Sequence, residues 1–158
     1  MKKIILLAIM AVLTTAGLHA EQHDVTLGAQ FAYASRHSMA GLGVQLQYEP
    51  VTHLRLAPEF IYYFKNDNRS AYNLNLNVHY VIPTSSVFAL YPLAGFSFGH
   101  YTVDGIVGDA STNRCGANVG LGAQYRIQDH LHFYTEQRFQ IMKNFNQSVT
   151  LLGLKYTF

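Results

Sequence analysis

Apolar and polar residues alternate with a period of two along this chain of 158 residues, from about position 24 to the end. In the stretch 71–82, Tyr72, Leu74, Leu76, Val78, Tyr80 and Ile82 share one side, and Asn73, Asn75, Asn77 and His79 share the other. The opening stretch sets Val25, Leu27, Ala29, Phe31 and Tyr33 against Thr26, Gly28 and Gln30. A helix would scatter these positions around its circumference, whereas successive side chains of a strand point to opposite faces. The alternation predicts eight strands, near 24–34, 39–49, 53–64, 71–82, 87–101, 114–127, 130–141 and 147–158, with turn chemistry between them.

The connections are predicted to alternate in size. Those at 50–52, 83–86 and 128–129 are short, and those at 35–38, 65–70, 102–113 and 142–146 are generally longer. An even number of strands, each of the roughly 9–11 residues that a tilted crossing needs, describes an all-β, eight-stranded antiparallel up-and-down transmembrane β-barrel. An even count also returns both termini to one side, the periplasmic one. Alternation alone does not say which face looks outward, because a soluble barrel keeps its apolar face inside. Aromatic residues near the strand ends favour the membrane version. Tyr48, Tyr80, Tyr125 and Tyr156 fall near the short turns, and Phe31, Tyr33, Tyr62, Phe64 and Tyr72 near the longer loops, as in two interfacial girdles. The polar face agrees, being rich in Gly, Asn and Gln and poor in the Lys and Glu of a soluble exterior. Three residues fit less well. Pro58 and Pro92 lie inside strands, where a missing amide predicts a bulge at each. Gln137 falls on the lipid-facing phase.

The first twenty residues have a different grammar. Lys2 and Lys3 precede an apolar run from Ile4 to Leu13, and small residues are frequent from Thr14 to Ala20. This layout predicts a secretory signal peptide, residues 1–20, cut after Ala20, with Ala16 as the alternative site. A retained membrane helix needs about 20 apolar residues, about twice the length of this run. The remaining domain, 21–158, is formally neutral, because loss of the two lysines leaves nine basic residues against nine acidic ones. Its charge balance gives no reason to expect nucleic acid. Charged residues make up 13% of the chain, about half of the roughly 25% usual for soluble domains. The single cysteine, Cys115, can form no internal bridge. It reads as a small residue packed on a strand.

The end of the chain, LLGLKYTF, places Leu152, Leu154, Tyr156 and Phe158 on one face and finishes on an aromatic residue. With the eight alternating segments, the stretch YPLAGFSFGHY and the export signal, it resembles the small eight-stranded outer-membrane barrels: the OmpA-like, OmpX-like and opacity-type porin family of Gram-negative bacteria. That resemblance implies that Leu152, Leu154, Tyr156 and Phe158 form the signal read by the barrel-assembly machinery. It also implies a monomer surrounded by outer-membrane lipids and lipopolysaccharide. It says little about activity, because members of the group share a shape and differ in what they do.

An eight-stranded barrel is just wide enough inside for side chains to fill it. The inward phase carries Arg55, Glu59 and Tyr63 on the third strand, and His132, Tyr134, Glu136 and Arg138 on the seventh. These two strands face each other across the barrel. Arg126 and Lys155 add charge near the periplasmic end, and several strands turn glycines inward, which read mainly as relief of curvature. Buried charges persist when paired and hydrogen-bonded, so Arg55, Glu59, Tyr63, Glu136 and Arg138 are predicted to form a polar plug. The reading favoured is a non-enzymatic structural or surface-exposed barrel, adhesive or serving envelope integrity. A narrow solute channel lined by Arg55, Glu59, Glu136 and Arg138 is the alternative, and a lipid A-modifying enzyme a further one. The His-x-Ser-Asn signature of barrel deacylases is absent, and Glu21–Asp24 is too short for the leading helix of palmitoyl-transferring barrels. His100 with Ser97 and Asp104 is the best remaining hydrolytic candidate, and His130 with His132 the best metal-binding pair. Neither completes a site, so no cofactor or metal is predicted. A surface ligand would meet the longest loop, 102–113.

Overall fold

β1 (Val25–Ala34) pairs antiparallel with β2 (Met39–Val51) on one side and with β9 (Gln147–Thr157) on the other, and this double pairing joins the first strand to the last. The computed structural model describes residues 25–103, 110–143 and 145–158. The predicted signal peptide therefore lies outside the described residues. Each strand lies beside its neighbours in sequence: β3 (Leu54–Asn66), β4 (Arg69–Tyr80), β6 (Phe88–Val103), β7 (Ala110–Arg126) and β8 (Leu131–Met142) complete the ring. β5 (Ile82–Pro83) prolongs β4 beside β6, so nine segments form eight staves. The β4–β6 pairing closes the sheet into an all-antiparallel barrel.

The side-chain phase follows the alternation. Along β4, Asn73, Asn75, Asn77 and His79 are buried, while Leu74, Leu76, Val78 and Tyr80 are exposed on the outer wall. All nine girdle aromatics lie on the outward phase. Inside, one apolar cluster lies toward the loop end and includes Ala32, Met39, Ile61, Tyr63, Val149 and Leu151. A second, made of Val81, Ala89, Tyr91 and Leu93, lies toward the opposite mouth. Polar and charged residues fill the space between them.

The predicted bulges at Pro58 and Pro92 are absent. Pro58 sits opposite Leu76 in an unbroken register, and Pro92 sits opposite Leu121 in another. Each proline lacks one amide, and that amide serves only one of the two neighbouring strands. Around Pro58 the β2–β3 pairs pass from Gln45↔Glu59 to Tyr48↔Leu56 without a change of register. Near Pro92 the β4–β6 pairing stops at His79↔Leu93, and β5 resumes it at Ile82↔Leu90. The register shifts lie instead near strand ends, between Tyr48 and Val51 and between Tyr63 and Asn66.

The predicted difference in size between the two sets of connections is small. Asp67 and Asn68 both take positive φ, 48° and 58°, which their short polar side chains tolerate. The predicted loop 65–70 is therefore a two-residue hairpin turn of the primed kind. The predicted loop 102–113 is shortened as well, since β6 runs to Val103 and β7 begins at Ala110. Its tip, 104–109, lies outside the described residues.

Candidate functional site

The inward phase of β3 meets that of β8 at Glu59 and Arg138, whose side chains are both fully buried. Arg138 Nη2 donates to Glu59 Oε1 at 2.5 Å, and Nη1 donates to Oε2 at 3.2 Å. This bidentate geometry is the strong form of a guanidinium–carboxylate pair. Glu59 also accepts from Asn75 Nδ2 at 2.7 Å, Gln30 Nε2 at 2.7 Å and Gln45 Nε2 at 3.4 Å. Donors from β1, β2, β4 and β8 thus converge on one carboxylate. On its own strand's far side, Arg138 stands opposite Gly120, where a Cβ would lie 2.7 Å from the Arg138 backbone.

Glu136, two residues along β8, accepts from Tyr91 Oη at 3.0 Å, and its other oxygen lies 3.8 Å from Arg138 Nη1. Tyr134 Oη donates to Gln30 Oε1 at 2.5 Å, joining β8 to β1. Nearer the loop end, Asn118 donates to Asn75 and Asn77, and Gln140 donates to Ser97. The structure therefore brings Glu59, Glu136 and Arg138 together. It does not bring Arg55 to them. Arg55 binds Gln124 Oε1 at 3.0 Å and Glu49 at 3.5 Å, close to the turn-end mouth. Four residues along a strand are roughly 13 Å, and that offset carries Arg55 out of the mid-barrel layer. Tyr63 is buried, but in the apolar loop-end cluster, and its hydroxyl has no hydrogen-bond partner among the described residues.

Two further residues of the interior, Lys155 and His79, stand outside the predicted plug. Lys155 Nζ donates to Gln124 and Gln47 at 2.7 and 2.9 Å, so this buried ammonium is held by neutral acceptors. With Arg55, Arg126 and His132 it lines a recess of about 280 Å³ at the turn-end mouth. His79 is wholly buried, with its ring stacked 4.8 Å from Tyr91. The signal for both was position: each lies on the inward phase.

The remaining sequence candidates separate. Ser97 points inward and is buried, whereas His100 lies on the outer phase, stacked 5.0 Å from Tyr72 and 2.6 Å from Asn113 Oδ1. The two lie on opposite sides of the wall and cannot act as nucleophile and base; Asp104 is outside the described residues. His130 binds the Thr157 carbonyl at 3.0 Å. Among the described residues, no three His, Cys, Asp or Glu gather around a site for an ion. Cys115 is free and exposed on the outer face. Gln137 keeps its place on that face by internal pairing: it donates to Ser148 Oγ at 2.5 Å and accepts from Thr150 Oγ1 at 2.6 Å. Leu152, Leu154, Tyr156 and Phe158 all face outward, and the Phe158 amide donates to the Val25 carbonyl at 3.0 Å.

A closed eight-stave barrel that is apolar outside and polar within is an integral membrane β-barrel. The chain belongs to the outer membrane protein beta-barrel domain family, whose model matches residues 4–158, and this places it in the bacterial outer membrane. Among solved structures it is similar to the N-terminal β-barrel domain of Pseudomonas aeruginosa OprF. The TM-score is 0.73 and the identity 17%, over 85% of this chain and 97% of that one. It is also similar to Neisserial surface protein A, with a TM-score of 0.70 and 20% identity over 87% and 98% of the two chains. Ail, the attachment invasion locus protein of Yersinia pestis, gives 0.65 and 14% over 86% and 97%. At these identities the likeness is one of fold. No curated protein sequence matches the chain.

Proposed function

We propose that the protein is a monomeric, non-catalytic outer-membrane barrel whose lumen is blocked at mid-height and whose work is done at the cell surface, as an adhesive or envelope-stabilising element. The observation that carries this reading is the Arg138–Glu59 crossing, a buried bidentate pair between opposite staves. A solute path through mid-height would have to break it, and exposing one partner without the other leaves a buried charge uncompensated. Two proteins of similar fold, Neisserial surface protein A and the attachment invasion locus protein Ail, support a role at the surface. In this reading residues 1–20 direct export and both termini face the periplasm. Leu152, Leu154, Tyr156 and Phe158 are read by the barrel-assembly machinery, and lipids and lipopolysaccharide surround the outer wall.

Planar-bilayer recording of the purified protein tests the block. No steady conductance is expected from the wild type, and Arg138→Ala with Glu59→Ala is expected to conduct. Steady wild-type conductance would favour the narrow channel instead, a reading to which the 280 Å³ recess beside Lys155 lends some support. Lipid A mass spectra from a deletion strain should match those of the parent; a lost modification would make the protein an enzyme. Unheated protein should also run faster than heated protein in detergent gels.

A further inference from the structure

The loop-end mouth is capped by an aromatic residue with arginines around it. Phe145, between β8 and β9, is buried. Its ring lies 4.7 Å from that of Tyr101 and 5.5 Å from that of His37. Arg36 Cζ stands 4.7 Å from the ring centroid and Arg114 Cζ 5.0 Å from it. Arg69 Nη1 lies 2.9 Å from His37 Nδ1, which accepts a hydrogen bond from it when the ring proton is on Nε2. Arg36 and His37 of the β1–β2 connection and Phe145 of the β8–β9 connection thus meet Arg69 of β4, Tyr101 of β6 and Arg114 of β7 over the opening.

Among the described residues, the three guanidinium groups bind neutral acceptors. Arg36 donates to the Asn146 carbonyl at 3.3 Å and Arg114 to the Lys143 carbonyl at 3.0 Å. Among the described residues, no carboxylate forms an ion pair with any of the three. This end of the barrel carries Arg36, Lys65, Arg69, Arg114 and Lys143 against Asp67. Counting Asp104 and Asp109 as well leaves an excess of two positive charges. Like charges gathered this closely repel one another, and an anion between them relieves the repulsion. The planar fork of arginine suits an oxyanion that offers two equivalent oxygens. Two recesses open between the arginines. One of about 140 Å³ has His37, Arg69, Tyr101, Thr112 and Arg114 in its wall. The other, of about 250 Å³, is lined by Arg36, His37, Ser38, Asn66, Asp67 and Arg69. Both exceed several times the roughly 30 Å³ share of one water molecule.

We propose that Arg36, Arg69 and Arg114, with His37, form a binding site for a phosphate- or sulfate-ester group. Its position around the capping Phe145 opens it along the barrel axis, away from the lipid-facing wall. The ester of a soluble ligand reaches it there more directly than does a headgroup of the surrounding bilayer. That the ligand comes from outside the cell rests on the orientation proposed above.

Titration of the purified barrel in phosphatidylcholine nanodiscs with inositol hexakisphosphate, at about 0.15 M salt to screen diffuse attraction, tests the site. Saturable binding is expected from the wild type. Arg69→Gln with Arg114→Gln should weaken it at least about ten-fold, the factor that corresponds to the loss of one charged hydrogen bond. Arg126→Gln, at the opposite mouth, should bind like the wild type. Gel mobility before and after heating shows that each variant is folded. Equal affinity of the double variant and the wild type, or no saturable binding, overturns the site. Phosphatidylglycerol nanodiscs separate the sources of the ester: unchanged affinity supports a soluble ligand, and abolished binding assigns the site to headgroup phosphate. Binding by the purified protein but not by intact cells would keep the site and overturn the orientation.

Discussion

Tyr91 reaches over Gly122 to donate its hydroxyl proton to Glu136 Oε1, 3.0 Å away, so that three adjacent strands are tied by one side chain. Tyr91, Gly122 and Glu136 are successive partners in one row of the sheet. A Cβ at Gly122 would lie 2.2 Å from the tyrosine ring, so the missing side chain is what makes room for the crossing. Tyr134 repeats the device, passing over Gly153 to Gln30. These glycines make room for tyrosines inside the barrel, a role beyond relief of curvature. Gly122→Ala is expected to cost about 1–3 kcal/mol through overpacking, and Tyr91→Leu in the same chain should recover part of it. Unfolding in urea measures both. A Gly122→Ala barrel as stable as the wild type would show that the ring has somewhere else to go.

Arg138→Ala should lower stability by about 3–5 kcal/mol if the interior is dry, because Glu59 would be left as a buried charge without its partner. The remaining donors to Glu59, from Asn75, Gln30 and Gln45, reduce the loss. Removing Glu59 as well should restore part of it, giving a non-additive cycle. The phase can be checked separately in a Cys115→Ala background, since Cys115 is itself exposed. Arg138→Cys should resist a bulky thiol reagent, and Phe139→Cys should contact lipid. Additive losses, or rapid labelling at 138, would move the crossing out of the lumen.

The fold was legible because strands such as β4 keep one side strictly polar, so that period and phase are both visible. β6 was harder: Tyr91 and Leu93 inside look no different from Leu90 and Phe96 outside. The Tyr91–Glu136 bond was therefore not evident, nor was the role of Gly153 within an apolar run. The crossing of Glu59 and Arg138 could be reached by counting strands around a circle. The departure of Arg55 could not, because its height depends on register and tilt, which alternation leaves open. The convergence of Arg36, Arg69 and Arg114 was hidden for a different reason. It brings Arg36 of the β1–β2 connection to the loop ends of β4 and β7, a meeting across the mouth that alternation along each strand does not mark.

His37 supplies a pH-dependent test of that mouth. Its imidazole is held below the ordinary histidine value by burial, then by the charges of Arg69 and Arg36. Arg114 stands nearby across Phe145 and acts in the same sense. The folded protein therefore takes up this proton less readily than the unfolded chain does. Its contribution to stability is present above about pH 6.5, the unfolded value, and is lost as pH falls through the lower folded value. Nuclear magnetic resonance of the His37 ring should give a midpoint below that of a free histidine. Inositol hexakisphosphate should raise it by offsetting the arginines. A midpoint insensitive to Arg69→Gln would mean that the 2.9 Å contact does not hold the ring neutral.

Phe158 should matter more to assembly than to the finished barrel. Its side chain is 72% exposed, and its ring packs edge-on against that of Tyr156, with centroids 5.2 Å apart. The amide bond to Val25 closes β9 onto β1, and alanine keeps that bond. Phe158→Ala should therefore change stability by no more than about 0.5 kcal/mol, as is usual for surface positions. Phe139 is also lipid-facing, at 48% exposed, but lies within β8. If the assembly machinery reads the terminal aromatic, Phe158→Ala should lower outer-membrane yield in cells while Phe139→Ala does not. Both variants should refold from urea into lipid vesicles with similar efficiency, because no machinery is present there. Equal yields in cells would reduce Phe158 to one more aromatic residue at the membrane interface.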